Sequence, residues 1–270
     1  MPELPEVETV VRGIRPLLQG RTITRVHVRH KPSAGGSPRP LSFLHGRKVM
    51  AVFRRGKFIR VNFEQNASMA VHLRMTGWLG VARKVPDDPY LRVVFDLEDG
   101  SHLLFRDIRT FGRVWCGEER QIENLRALSK LGPEPLEISA GAFTERLRSR
   151  GGRLKALLLN QEFLAGVGNI YADEALYAAQ LHPLGKASRV KKDRAAALHA
   201  AIQRILCESI EAGGSSVENF RNADGKEGWF QRELLAYGRE GEPCKRCKTP
   251  IKRIVMGQRG TWFCPKCQRR

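Results

Sequence analysis

Two short cysteine motifs, Cys244-Lys245-Arg246-Cys247 and Cys264-Pro265-Lys266-Cys267, decide how the C-terminal end of the chain folds. Sixteen residues separate them, a spacing that suits four thiolates around one tetrahedral zinc ion. Free or disulfide-bonded cysteines are the alternative, which the absence of an export signal disfavours. Four thiolates leave no open position for water, so the metal would be structural. The motifs therefore predict a zinc-stabilised hairpin whose turn, Gly257 to Gly260, presents Arg259.

The charge of the chain indicates a polyanionic partner. Its 270 residues include 47 Lys and Arg against 28 Asp and Glu, a formal net charge of +19. Because 41% of the residues are hydrophobic, a folded nucleic-acid-binding protein is favoured over a disordered basic tail. A generally solvated basic surface is the alternative. No apolar run reaches the ~20 residues of a membrane span and no secretory leader is seen, so we expect a cytoplasmic protein.

The N-terminal stretch Met1-Pro2-Glu3-Leu4-Pro5-Glu6 carries the first candidate for chemistry. Removal of Met1 would leave a secondary amine on Pro2, beside the Glu3 carboxylate. Such an amine can attack a sugar C1′ to give an iminium ion, which is a form of covalent catalysis. The same residues also suit an ordinary helix start, with proline and acids in the first turn. From this stretch alone, the helix start is the favoured interpretation.

The remaining pattern divides the chain into a strand-rich first half and a helical second half. An amphipathic helix is predicted over 3–19, and short strand candidates separated by turn residues follow up to residue 106, which is typical of a β-sandwich. After the linker-like Gly132-Pro133-Glu134-Pro135, helices are predicted over 153–163, 170–180 and 191–212. We predict four segments: a β-sandwich domain over 1–132, a linker over 133–150, a helical domain over 151–234 with a loop over 213–228, and a zinc finger over 235–270.

A set of short motifs runs in order over essentially the whole chain. They are Pro2 to Thr9, Arg54 to Lys57, His72 to Gly77, Asp107 to Gly112, Gly132 to Leu136, Gly166 to Ala172, Asp224 to Lys226, Tyr237 to Arg239, and Gln258 to Gly260. Together with the four cysteines, these motifs resemble the bacterial formamidopyrimidine-DNA glycosylases, a family of DNA glycosylase/AP lyases.

The resemblance implies an α+β fold with two parts. An N-terminal helix-flanked antiparallel β-sandwich would be followed by a helix-two-turn-helix domain with a four-cysteine zinc finger. The implied partner is damaged double-stranded DNA, and the implied cofactor is one structural Zn²⁺. No membrane, no nucleotide cofactor and a monomeric state are also expected.

The resemblance further implies an enzyme of base excision repair that removes oxidised purines such as 8-oxoguanine and formamidopyrimidines. Pro2 would be the nucleophile that forms a Schiff base, provided that Met1 is removed, and Glu3 would be the general acid and base. Lys57 would contact phosphate and donate a proton, and Arg259 would complete the catalytic set by gripping a phosphate beside the lesion. The abasic strand would then be cut by β- and δ-elimination. From pattern alone, Lys57 lies at the end of the apolar face of a strand, where it is either functional or simply extends to water.

The DNA contacts also rest on the resemblance. Met75, Arg109 and Phe111 would fill the gap left by an everted nucleotide, with Arg109 facing the opposite base. Pattern alone predicts Met75 and Phe111 as core residues and Arg109 as solvated. Asn169 would bind phosphate, although it also suits an ordinary helix N-cap. The loop over 213–228 would close over the everted base. The other DNA-binding candidates are Tyr90, Arg150, Lys155 and Tyr237.

At four positions the chain departs from the family pattern, namely Tyr90, Ile108, Thr110 and Trp229. None of these changes removes a catalytic group, and they bear on opposite-base preference and lesion range. Two alternatives stay open: the same chemistry with a preference for oxidised pyrimidines, and a non-catalytic DNA-binding relative that kept the scaffold. The second is disfavoured because the functional residues of the family are all present, namely Pro2, Glu3, Lys57, Asn169 and Arg259.

Overall fold

The computed structural model describes residues 1–217 and 220–270, which form two compact units. The first unit comprises Met1–Lys130 and Ala212–Trp229, and the second comprises Leu131–Glu211 and Phe230–Arg270. Residues 218–219, part of the predicted loop over 213–228, lie outside the described residues. The division into four segments stays a prediction.

The first helix, α1 (Leu4–Leu18), supplies one wall of the core of the first unit and confirms the predicted amphipathic helix. Its apolar positions recur every three or four residues and form one buried stripe, each at most 1% exposed. Beyond the C-cap Gln19, Gly20 adopts φ +84°, a conformation that glycine reaches without strain. The stripe consists of Val7, Val10, Val11, Ile14 and Leu18.

Eight strands follow α1 and form two antiparallel sheets of four strands each. They are β1 (Ile23–Val28), β2 (Val49–Arg55), β3 (Phe58–Phe63), β4 (Ala67–His72), β5 (Gly77–Ala82), β6 (Leu91–Leu97), β7 (His102–Asp107) and β8 (Arg113–Glu118). One sheet has the order β1-β6-β7-β5 and the other β2-β3-β4-β8. Cross-strand pairs such as Ile59 with Val71 bring buried apolar side chains together.

Both sheets and α1 contribute to one hydrophobic cluster, which confirms the antiparallel sandwich. Three elements at the end of this segment were not predicted: β8 and the short helices α2 (Glu119–Glu123) and α3 (Arg126–Ser129). β8 contains Gly117 and lacks clean alternation. It becomes a strand through its pairing with β4, which lies more than forty residues earlier in the chain.

Residues 212–217 and 220–229 complete the first core from a distant part of the sequence. Phe220 and Ala223 belong to the same cluster as α1, and the Trp78 indole N–H donates to the Asn222 carbonyl oxygen over 2.8 Å. A Cβ at Gly13 would lie 2.8 Å from the Cβ of Ala223, so the close approach of this segment to α1 requires glycine there. The segment is therefore packed into the first unit.

The second unit is helical and ends in a two-stranded hairpin. Its elements are α4 (Ala140–Arg148), α5 (Leu154–Leu159), α6 (Asn169–Ala178), α7 (Lys192–Glu211), β9 (Lys252–Met256) and β10 (Arg259–Phe263). The helix predicted over 153–163 is shorter, because the Gln161 side chain donates to the carbonyl oxygens of Leu159 and Val167 and accepts from the Gly166 N–H. Within residues 1–217 and 220–270, no helix combines the length and apolar character that a bilayer crossing needs.

Candidate active site

The N-terminus is held in place by a reciprocal cap on α1. The Glu3 side chain accepts from the N–H of Glu6, and the Glu6 carboxylate accepts from the N–H of Glu3 over 2.8 Å. Both side chains are buried, at 4% and 2% exposure, and Pro2 is buried beside them. The backbone that carries Pro2 is therefore fixed relative to the Glu3 carboxylate.

Glu6 also ties the start of α1 to the segment that returns from the far end of the sequence. Its second carboxylate oxygen accepts from the N–H of Ser215 over 2.8 Å. A Cβ on Gly214, at φ +83°, would meet Glu6 atoms at 3.2 Å. The sequence suggested only a dipole-complementing acid at position 6. The structure makes it a bridge between Glu3 and Ser215.

Lys57 lies in the turn between β2 and β3 and is 6% exposed, so the structure buries most of this side chain. His72, at the end of β4, is equally buried and accepts from the Arg74 N–H through Nδ1 over 3.0 Å. Burial, together with the positive charges of Arg74 and Lys57, lowers the pKa of His72 to about 3. His72 is therefore neutral at physiological pH and, with Nδ1 accepting, carries its proton on Nε2. No separate signal in the sequence pointed to this histidine.

Two loops of the first unit are joined by a buried carboxylate. Asp107, at 0% exposure, accepts from the Thr76 hydroxyl over 2.5 Å and from the Gly112 N–H over 2.7 Å. The Arg109 N–H donates to the same Thr76 oxygen over 3.0 Å. The loop that contains Met75 and the loop that contains Arg109 are therefore held side by side.

These loops carry the three residues that are expected to fill the gap left by an everted nucleotide. Phe111 is 49% exposed, so its assignment to the core from pattern alone is wrong, and the Arg109 guanidinium lies 4.8 Å from its ring centroid. Met75 is half-buried. Tyr90 is 40% exposed, and the guanidinium groups of Arg92 and Arg106 lie 5.7 and 5.3 Å from its ring centroid. An aromatic ring and a cation are thus available at the surface of this unit.

In the second unit, the carbonyl oxygen of Gly260 is the meeting point of two candidate residues. It accepts from Asn169 Nδ2 over 3.2 Å and from Lys155 Nζ over 2.9 Å. Asn169 is the first residue of α6, and the N-cap position predicted for it is occupied by Gly168. Arg259, next to Gly260, is exposed. The hairpin tip that carries Arg259 is therefore anchored to both α5 and α6.

Lys155 is not at the surface, contrary to what a direct phosphate contact requires. Its side chain is 0% exposed, and its ammonium lies 2.7 Å from a carboxylate oxygen of Asp173, which is also 0% exposed. Asp173 accepts in addition from the Trp262 N–H over 3.1 Å. Burial raises the pKa of the Asp173 carboxyl, and the Lys155 ammonium opposes this rise. The pair thus fixes the hairpin from inside.

Glu174, the next residue of α6, anchors a second stretch of the zinc module. It is 4% exposed and accepts from the backbone N–H groups of Leu235, Ala236 and Tyr237 over 2.8–2.9 Å. The half-buried Tyr237 ring packs on Trp262, with 4.5 Å between ring centroids. Arg150 is exposed in the segment between α4 and α5.

The four predicted zinc ligands come together. Their sulfur atoms all lie within 4.8 Å of one another, close enough for one tetrahedral ion with metal–sulfur bonds of about 2.3 Å to join them. The cluster packs against Tyr177, Ala236 and Ile251. The ligand set of Cys244, Cys247, Cys264 and Cys267 is a structural zinc site, since four thiolates leave no position for a reacting water.

Glu6→Gln should lower the free energy of unfolding by about 1–3 kcal/mol. An amide nitrogen cannot accept a hydrogen bond, so the buried N–H of either Glu3 or Ser215 loses its partner. Urea denaturation measures the change. Glu64→Gln alters an exposed glutamate of the same unit and should stay within about 0.5 kcal/mol of the wild type. Equal losses in the two variants would contradict the bridging role of Glu6.

Acid should destabilise the protein in part through His72. Its pKa is about 3 in the folded protein against 6.5 normally, so between these values the unfolded chain binds the extra proton. The stabilising contribution is complete above pH 6.5 and is lost as pH falls toward 3, by up to about 1.4 kcal/mol per pH unit. His72→Asn keeps an acceptor for Arg74 but does not titrate. The melting temperature of this variant should fall less steeply between pH 7 and 4 than that of the wild type. Parallel curves of melting temperature against pH would refute this account.

Asp173→Asn should destabilise the second unit by about 3–5 kcal/mol, because it leaves the Lys155 ammonium buried without a counter-charge. The measurement is thermal denaturation, monitored through the release of zinc. Glu208→Gln removes the exposed ion pair with Arg204 and serves as the control, with an expected loss below about 1 kcal/mol. A similar small loss in both variants would show that the buried pair does not hold the hairpin.

Profiles of known families match three parts of the chain. The formamidopyrimidine-DNA glycosylase N-terminal domain matches residues 1–114, the formamidopyrimidine-DNA glycosylase H2TH domain matches 131–221, and the zinc finger found in FPG and IleRS matches 241–270. Together they cover both units and the cysteine cluster.

Full-length relatives agree. The formamidopyrimidine-DNA glycosylase of Solibacter usitatus is 46% identical over 272 residues, covering 100% of both chains, and that of Bacillus subtilis is 40% identical, covering 99% of each. The crystal structure of the MutM (FPG) protein from Thermus thermophilus matches with a TM-score of 0.89 at 40% identity, covering 99% of this chain and 98% of that chain. The complex of Lactococcus lactis Fpg with abasic-site DNA matches with a TM-score of 0.90 at 33% identity, covering 99% and 100%. Matches at this identity over the whole length show that the chain belongs to the formamidopyrimidine-DNA glycosylase family.

Proposed function

We propose that this protein removes oxidised purines from DNA and cleaves the resulting abasic strand, with Pro2 as the nucleophile. The observation that carries the proposal is the cap at the N-terminus, which fixes the Pro2 backbone beside the buried carboxylate of Glu3. Related Lactococcus lactis Fpg chains have been solved with abasic-site DNA and with Fapy-dG-containing DNA, substrates and intermediates of this type.

The first step is a displacement at the sugar. With Met1 removed, the Pro2 nitrogen forms a bond to C1′ while the bond from C1′ to the base breaks, and the base leaves with that electron pair and a proton. Glu3 protonates O4′ as the sugar ring opens, so C1′ and the Pro2 nitrogen become joined as an iminium ion. The cationic iminium then acidifies the C2′ proton. Loss of this proton with the 3′-phosphate is β-elimination. Loss of the C4′ proton with the 5′-phosphate is then δ-elimination, and water hydrolyses the iminium to release the sugar fragment from Pro2.

The cations of each unit would bind the charged strand. In the first unit, Lys57 and the neutral His72 supply donors for a phosphate oxygen, and Lys57 also supplies a proton during elimination. In the second unit, exposed Arg259 and half-buried Asn169 would hold phosphates beside the lesion. A basic surface of this kind stabilises the negative charge on the departing phosphates.

In this proposal Lys155 does not contact DNA directly. Its ammonium donates to the Gly260 carbonyl oxygen and pairs with Asp173, so it acts on DNA only through the position of Arg259 and Asn169. Tyr237, packed on Trp262, belongs to the same supported surface. Arg150 is exposed before the start of α5 and would contact a phosphate directly.

Eversion of the nucleotide would be supported by the two loops joined at Asp107. Exposed Phe111 and Arg109, with half-buried Met75, would fill the vacated space, and exposed Tyr90 would contact the backbone. The loop over 213–228 would cover the everted base. Its described start is tied to Glu6, so closure of the loop and the position of Glu3 would be linked.

Borohydride trapping tests the proposal directly. Protein confirmed by mass spectrometry to begin at Pro2 is mixed with a duplex carrying one 8-oxoguanine opposite cytosine, and borohydride reduces any iminium to a stable amine. We expect a covalent adduct with the wild type and a drop of about 100-fold or more in this adduct with Pro2→Ala, while binding to the duplex persists. The substitution replaces the secondary amine by a primary amine, whose imine is an electron sink only when it is protonated. Pro5→Ala, in the first turn of α1, is the matched control and should retain trapping.

Two results would change the assignment. An adduct with a thymine-glycol duplex but none with 8-oxoguanine would move the preference to oxidised pyrimidines. No adduct with any lesion or with an abasic site would leave a DNA-binding relative without the chemistry.

A further inference from the structure

A second basic feature lies in the second unit and is lined by residues to which no role has been assigned above. A cavity of about 600 Å³ opens between the start of α5, the turn that leads into α7, and the C-terminal arginines. We call it the basic pocket. None of its lining residues is an Asp or a Glu. Six exposed basic residues line it: Arg153, Lys186, Arg189, Lys191, Arg269 and Arg270.

These six side chains have no counter-ion in the part of the chain that the structure describes, residues 1–217 and 220–270. Other arginines of the same unit do have one: exposed Arg204 pairs with Glu208, and half-buried Arg239 pairs with Glu242. Like charges gathered around one cavity repel each other, which costs free energy unless an anion offsets it. The arrangement is therefore typical of a site that receives negative charge.

The pocket is built from fixed backbone. The N–H of Leu154 donates to the Gly185 carbonyl oxygen over 2.9 Å, and the N–H of Ala187 donates to that of Gly152 over 3.0 Å. Gln268, at 0% exposure, donates to the Leu181 carbonyl oxygen over 2.9 Å and thereby holds the C-terminal arginines against this wall. A ligand would therefore meet a preformed cavity, and little free energy would be lost in ordering it.

The chemistry of the lining selects phosphate. Guanidinium groups bind phosphate oxygens through paired hydrogen bonds, and six cations exceed what a single carboxylate or one phosphate requires. The volume falls in the range of ligand pockets, roughly 300–1,000 Å³. Buried Leu154 and Val190 add apolar surface that suits a sugar or a base joined to the phosphates.

We propose that the basic pocket binds ligands that carry two or more linked phosphate groups. Two sources share this chemistry: the backbone of DNA beyond the lesion, and a free nucleoside polyphosphate. In the first case the pocket extends the DNA surface and the inference rests on the proposed function. In the second it is a separate site.

Calorimetry with inorganic tripolyphosphate tests the pocket without DNA. We compare the wild type with Arg189→Ser/Lys191→Ser, which removes two exposed lining cations, and with the charge-matched control Arg126→Ser/Arg148→Ser, which removes two exposed cations elsewhere. The wild type and the control should bind with similar affinity, and the pocket variant should bind about 10-fold more weakly or worse, because charge-assisted hydrogen bonds to phosphate are lost. Equal binding by all three proteins would overturn the proposal. Melting temperature and zinc content, expected to be unchanged, show that the variants are folded.

A second arm identifies the source of the phosphates. Affinity for a duplex with an abasic-site analogue is measured against salt concentration for the same three proteins. If the DNA backbone fills the pocket, the slope of log affinity against log salt should become shallower by about 2 in the pocket variant, since each phosphate contact contributes roughly 0.9. An unchanged slope with weakened tripolyphosphate binding would support the free ligand. Trapping at Pro2, run in parallel, reports on the proposed function alone, so its failure would leave the tripolyphosphate result standing.

Discussion

The Glu6 carboxylate accepts one hydrogen bond from the backbone of Glu3 and one from the backbone of Ser215, a residue 209 positions away. The position of the N-terminus in the first unit depends on this buried group. A carboxylate can accept both bonds at once, and burial makes each bond costly to leave unmade. The start of α1, the Glu3 side chain and the returning segment are therefore fixed as one assembly.

The same device recurs at three other places where the structure positions candidate residues. Asp107 joins the loops that carry Met75 and Arg109, Asp173 holds the hairpin strand beside Arg259, and Glu174 holds the backbone up to Tyr237. In a chain with 47 basic and 28 acidic residues, these buried acids bind mostly backbone N–H groups. These buried acids order the interior, while the net charge of +19 follows from the composition of the whole chain.

The zinc site and the anchors on α5 and α6 together hold the C-terminal hairpin. The metal joins the four cysteines at one end, while the Gly260 carbonyl is held by Lys155 and Asn169 at the other. A hairpin of ten strand residues has too little apolar surface to keep its tip in place alone. Arg259 therefore depends both on the metal and on a buried ion pair.

Much of the fold was readable from local pattern. The stripe of α1 follows from its period of three to four residues, and the zinc ligands follow from cysteine spacing, because both signals are contained in adjacent residues. β8 was missed because its strand character comes from pairing with β4, and α5 was overextended because Gln161 ends it with side-chain bonds. Phe111 was assigned to the core because pattern cannot distinguish a buried aromatic ring from one held out at a loop tip.

The sequence by itself determined the helix, the sandwich class, the zinc ligands, the strong positive charge and, through its motifs, the family. Only the tertiary structure decided that Glu6 bridges to Ser215, that Lys155 is buried against Asp173, that His72 stays neutral beside Lys57, and that six cations line one cavity. The physical reason is distance along the chain. Residue type and spacing fix what a side chain is able to do, but the partner that determines its charge state and orientation lies tens to hundreds of residues away.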